Sequence, residues 1–259
     1  MSRFPITSLV SPLATIVAVC LMGFPLHASE PLQLSQDPQR AVVELWYLSS
    51  TEQPTHPEVA IFSDGRVWTH NGIQHVLTCA CVERLAYDLL QTDGLSSCNT
   101  RSLVGDIQAA SRASGLTYHV PGAASTFIRI RTATETQEFQ CPAVGVLANR
   151  FPEVVSLQRF YAAQRRLENT KAVTQAGGEA VVSQLADEAR RAVEVEYGVS
   201  VPISSQDLAM VRSLPDGSHY CQFLVGNTTL QQNKPIISFV KTPGTTPRVS
   251  VLSSDAVVR

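Results

Sequence analysis

Short runs rich in β-branched, aliphatic and aromatic residues, separated by polar turn signals, recur through the first half of the chain as expected of strands. Residues 41–48 (AVVELWYL), rich in valine, leucine and aromatics, predict a strand. Residues 58–70 predict a hairpin: two β-rich arms flank Asp64-Gly65, and the glycine supplies the positive φ of a tight turn. A second turn is expected at Asn71-Gly72 and a further strand over 73–78, so this unit opens as an antiparallel meander. At Cys81 the period changes. Val82, Leu85, Ala86 and Leu89 follow the i, i+3, i+4, i+7 spacing and predict a helix over 81–91 that stops at Asp93-Gly94. A short helix near 104–112 and a strand over 116–120 come next. A hairpin over 126–140 follows, in which Ile128 and Ile130 alternate with Arg129 and Arg131. A helix over 152–168, with Pro152 in its first turn, completes the unit.

Residues 170–178 (TKAVTQAGG) hold no large aromatic, end in two glycines, and predict a linker. Beyond them, Val182, Leu185, Ala189, Val193 and Tyr197 form the inward stripe of a helix over 179–197, stopped by Gly198. Four strands are expected over 207–214, 218–225, 235–241 and 248–252, separated by Pro/Gly/Asn turns. The fold class predicted is α+β: two small domains, 41–169 and 179–259, each an antiparallel meander packed against one or two helices. The second unit, one helix followed by a four-stranded meander, is similar in order of elements alone to the cystatin-like and PepSY-like small domains of secreted proteins. No residue and no function is carried over from that likeness.

The N-terminus changes the setting. Arg3, the apolar run 13–24 (LATIVAVCLMGF) and the small residue in Leu26-His27-Ala28 have the order of an export signal, with cleavage expected after Ala28. The run is about half of the ~20 residues of a permanent span and is bracketed by Pro12 and Pro25. Val19 stands where a lipidation site at Cys20 needs a small residue. Residues 1–28 therefore read as a signal peptide and 29–40 as a flexible lead-in. The mature chain is expected to be secreted or periplasmic, with no transmembrane segment after cleavage. The whole chain has a net charge of −2 and only 16% charged residues, which disfavours a nucleic-acid partner.

Export makes disulfides the default for cysteine. Cys20 would leave with the signal, and Cys79, Cys81, Cys98, Cys141 and Cys221 remain. Two bridges and one spare thiol are expected, drawn from Cys79, Cys81, Cys98 and Cys141, with Cys221 a buried apolar residue in a strand. The sharpest chemical pattern is His70, His75, Cys79 and Cys81, whose imidazoles and thiols suit Zn²⁺ or Cu⁺ if the chain folds back at Asn71-Gly72. Bridged cysteines beside solvated histidines are the competing reading. Cys79-Ala80-Cys81 lacks the two-residue spacing of thiol oxidoreductases. No G-x-S-x-G, H-E-x-x-H or phosphate-binding glycine loop is present, and the pairs Glu135/Glu138 and Glu194/Glu196 lie on expected solvent faces. Trp46, Tyr47, Phe62 and Trp68 form either sheet core or an aromatic platform. Asn227-Thr228-Thr229 matches the N-glycosylation pattern.

These observations predict an exported, soluble, non-enzymatic binding or interaction protein of the cell envelope or extracellular space. Its ligand would be a protein, peptide or glycan, and no cofactor is expected. The alternatives are an enzyme with a metal-assisted site at His70/His75/Cys79/Cys81, and a periplasmic inhibitor or folding helper built on the C-terminal unit.

Overall fold

Strict alternation in Ser125–Arg131 places Thr126, Ile128 and Ile130 inside while Phe127, Arg129 and Arg131 face outward. This strand, β5, anchors the first of two antiparallel sheets in a computed structural model that describes residues 32–49, 54–69, 72, 74–214, 216–225 and 236–252. The expected signal peptide, His70 and the Asn227 pattern lie outside the described residues. The first sheet comprises β1 (Val43–Leu48), β2 (Val59–Ile61), β3 (Arg66–Thr69), β4 (Gln74–Val76), β5 and β6 (Thr136–Pro142), in the order β4-β3-β2-β1-β5-β6. Asp64-Gly65 makes the β2–β3 turn, where Gly65 has φ +90° and donates to the Phe62 carbonyl at 3.0 Å. The α+β class with two small sheet units is thus realised.

Among the described residues five α-helices accompany the sheets: α1 (Cys79–Tyr87), α2 (Thr100–Ser114), α3 (Val144–Arg150), α4 (Val155–Ala176) and α5 (Glu179–Tyr197). Thr78 caps α1 by accepting from the Cys81 N–H, and Asn99 caps α2 by accepting from Arg101 and Ser102. Residues 116–120, expected as a strand, have no ladder. Instead the segment is held by side chains: Ser111 donates to the Leu116 carbonyl at 2.6 Å. Part of the expected flexible lead-in is also docked, since Leu34 is buried and bridges Thr132.

The second sheet is β7 (Leu208–Ser213), β8 (His219–Leu224), β9 (Ile236–Lys241) and β10 (Arg248–Leu252), ordered β10-β9-β8-β7. Each sheet builds its own core. Leu45, Ile128, Ile130, Phe151 and Phe160 sit in the first, and Val182, Ala189, Phe223, Ile237 and Phe239 in the second.

Helix α4 belongs to both cores, with Phe160, Ala163 and Leu167 in the first and Ala172 and Ala176 in the second. Residues 170–176, expected as linker, are therefore helical. The break between α4 and α5 falls at Gly177-Gly178, where φ values of +99° and +104° exclude helical continuation. A buried polar seam fastens α4 to the first sheet. The Tyr47 hydroxyl donates to Glu168, Gln164 donates to Glu168 at 2.9 Å, and Thr126 donates to Gln164 at 3.2 Å. Burial, reinforced by the Glu168 carboxylate, pushes the Tyr47 phenol far above its ordinary range, so it stays a neutral donor.

The expected disulfides are not formed: Cys79, Cys81, Cys98, Cys141 and Cys221 are all free thiols. Cys79 and Cys81 stand two apart in one helical turn, so their side chains leave the axis about 200° apart. Cys98 donates to the Gly94 and Ser156 carbonyls at 3.5 and 3.7 Å. Cys141 lies in the first core and Cys221 in the second. Two cores of this size reach stability by apolar burial, and three of the thiols serve that packing as small apolar groups.

Candidate functional site

Of the four residues singled out as metal ligands, His75, Cys79 and Cys81 fall among the described residues and His70 does not. His75 stands on β4 opposite Val67, while Cys79 and Cys81 are exposed in the first turn of α1. Among the described residues no group of three or more His, Cys, Asp or Glu is placed to hold a metal ion. Thr78 Oγ1 donates to Cys81 Sγ at 3.0 Å, so this thiol is engaged within its own cap.

The aromatic cluster divides between two faces. Tyr47 turns inward to Glu168, whereas strand register puts Trp46 and Trp68 on the outer face with Glu44, Ala60 and Phe127 between and beside them. His56 lies against Trp68 with ring centroids 5.4 Å apart, and Phe62 is covered by the Arg66 guanidinium at 4.6 Å. The charged groups of this face neutralise one another: Arg129 donates to Glu44 at 2.9 Å and to Glu138 at 2.7 Å. Glu135 and Glu138 are exposed, as expected.

A concavity of about 890 Å³ lies in the second unit, between α5 and the β9–β10 end of the sheet. Its helical wall is the stripe Gln184, Glu188, Arg191, Val195 and Glu196, set at the helical spacing just beside the inward stripe of α5. Its other wall is Lys241, the turn at Thr245–Pro247, Arg248 and Val249. A smaller hollow of about 220 Å³ shares Gln184 and Lys241 and continues towards His219.

Glu188 organises the floor. Lys241 donates to it at 2.7 Å from β9 and Gln184 at 3.0 Å from the preceding turn. Burial pushes the Glu188 carboxyl pKa up, but these two hydrogen bonds and the charges of Lys241 and Arg191 outweigh it and hold the group below its ordinary range. Both bonds end on Glu188 Oε1, while its Oε2 is buried with no hydrogen-bond partner among the described residues. Arg248 has no ion pair among the described residues, and Arg191 donates only to the Asp187 carbonyl of its own helix at 3.3 Å. Val195 projects into the same space and is 86% exposed, the most exposed large apolar side chain among the described residues.

Beside the groove runs β10, the outer strand of its sheet. Val249 and Val251 pack on the core, and among the described residues no strand pairs with the outer edge. Arg191, Val195, Lys241 and Arg248 were missed from sequence. The available signal was Val195, an apolar residue between Glu194 and Glu196 that falls off the inward stripe of α5. Tyr197, expected on that stripe, is 46% exposed.

No family model, curated protein or solved structure matches this chain. No helix among the described residues is long and apolar enough to cross a membrane.

The thiols offer a direct check on both the free-cysteine state and the burial pattern. Burial raises the Cys98 thiol and pushes Cys141 and Cys221 up to about 12. At pH 8 under native conditions, iodoacetamide is expected to modify Cys79 and Cys81 quickly and the other three slowly. Unreduced protein in denaturant should take up label at all five, read by peptide mass spectrometry. A denatured, unreduced sample with fewer than five labelled thiols would reinstate a bridge.

Proposed function

We propose that this chain is an exported, non-enzymatic binding protein of the cell envelope or extracellular space, and that its ligand site is the groove between α5 and β10. The carrying observation is the groove itself. At about 890 Å³ it falls within the ~300–1,000 Å³ range of pockets that hold organic ligands. Its chemistry suits recognition more than catalysis. An exposed valine and two guanidinium groups that form no ion pair among the described residues surround the Glu188–Lys241 pair, whose Glu188 Oε2 is buried without a hydrogen-bond partner among them. Among the described residues, none that lines the groove is a cysteine or a histidine.

The test is an amide NMR titration of the purified protein with a mixed pool of short peptides and small carboxylates. Shift changes should concentrate at Gln184, Arg191, Val195 and Arg248. The Val195→Asp variant should suppress them while leaving the rest of the spectrum in place. Changes centred on Trp46 and Trp68 instead would move the site to the first sheet. Export is tested separately by the mass of the mature protein, which should begin at Ser29.

A further inference from the structure

We propose that the occupant of the α5–β10 groove is an extended acidic peptide, which adds to the outer edge of β10 as a further strand and places a carboxylate at Arg191 and Arg248. The proposal rests on the groove reading above and names the ligand class.

Three features of the groove converge on this occupant. The first is backbone chemistry. Strand β10 is hydrogen-bonded to β9 along Arg248–Leu252 on one side, and its other side presents alternate N–H and C=O groups to which no described residue is paired. Such an edge is a template for an added strand. The second is length. Five residues of β10 span about 17 Å. The wall of α5 from Gln184 to Glu196 spans about 18 Å at the helical rise. A segment of five or six residues therefore lies beside β10 with one set of alternate side chains over α5, where Val195 supplies the apolar contact. The third is charge. With Glu188 held by Lys241, the groove retains Arg191 and Arg248 against Glu196 alone, one positive charge in excess. Guanidinium groups favour carboxylates through paired hydrogen bonds, which selects an acidic side chain or a chain terminus.

Two other candidate surfaces are weaker on the same grounds. The outer face of the first sheet has aromatic area, but its charges are internally paired. Cys79 and Cys81 diverge around their helix.

The experiment pans random heptapeptides displayed on phage against the immobilised full chain, followed by synthetic versions of the enriched sequences. Enriched peptides should alternate apolar and polar residues and carry an Asp or Glu. Binding should weaken by about tenfold or more for Arg191→Gln and Arg248→Gln, both checked for native circular dichroism. Methylating the backbone nitrogens that face β10 should weaken binding by a similar factor, while methylating the alternate nitrogens should not. Peptides that bind equally well when methylated in either set overturn strand addition. If their binding is still abolished by Val195→Asp, the groove reading survives that failure. Peptides indifferent to Val195→Asp overturn the groove reading itself. Absence of enrichment, or enrichment of basic sequences, overturns the acidic-peptide proposal. So does a Val195-dependent dimer in sedimentation, which would make a second copy of this chain the occupant.

Discussion

Replacing Gly65 with alanine is expected to destabilise the protein by about 3 kcal/mol, from left-handed backbone strain plus overpacking. Both contributions are local and visible. Gly65 has φ +90°, which L side chains rarely adopt, and a Cβ built there would lie 1.9 Å from the Leu77 carbonyl oxygen. The obstacle is backbone and cannot rotate away. It is also fixed, because the Leu77 N–H donates to the Gly65 carbonyl at 2.8 Å, tying the β2–β3 turn to the segment that leads into α1. For a chain of this length the loss corresponds to a fall in Tm of about 6–12 °C. Gly72→Ala is the control. Gly72 also has positive φ, +71°, but nothing lies within 4 Å of its added Cβ, so only the conformational cost of about 1 kcal/mol remains. Urea denaturation of the two variants separates strain from collision. Equal midpoints would show that the packing of Gly65 against Leu77 is not what makes glycine necessary.

The Asp64-Gly65 turn was legible in sequence because a two-letter signal carries its own stereochemistry. The collision with Leu77 was not, because it depends on a contact between segments that no local pattern records. The same division runs through the fold. Alternation in 125–131 and the stripe Val182, Leu185, Ala189, Val193 located β5 and α5, since one buried face imposes one period. Helix α3 escaped detection: it begins after Ala143, a non-glycine residue at φ +46°, which a tertiary fit holds and local propensity opposes. The disulfide expectation came from compartment chemistry, and it failed because the positions of thiols in the two cores follow packing. The groove stayed hidden for a related reason. Its walls come from α5 and from a turn some fifty residues later, and its charged residues look in sequence like ordinary solvated positions.

The segment 170–178 shows most sharply where composition misleads. Small and polar residues there read as a linker because the helix that contains them is flanked by two cores and buries no large side chain of its own at that point. In the structure, α4 passes from Leu167 in the first core to Ala172 in the second without interruption. Neighbouring contacts hold it: Asn169 donates to the Ser205 and Leu208 carbonyls at 2.8 and 2.9 Å, and Arg166 grips Asp93 through two hydrogen bonds of 2.7 and 2.9 Å. Thr170→Pro removes an N–H from the helix interior and drives the ring against the Arg166 carbonyl, at a cost of about 3 kcal/mol or more. The kink displaces Arg166 from Asp93, a carboxylate that is only 7% exposed, and leaves that group short of its partner. Thr170→Ala keeps the N–H and loses only the hydroxyl's bond to the Arg166 carbonyl within the same helix, so it is expected to be nearly neutral. Calorimetry should show the alanine variant unfolding with the wild type and the proline variant unfolding well below it, with its transition broadened or split as the two cores lose their common helix. A flexible linker would tolerate proline as well as alanine, so matching transitions for the two variants would mean that α4 does not couple the cores.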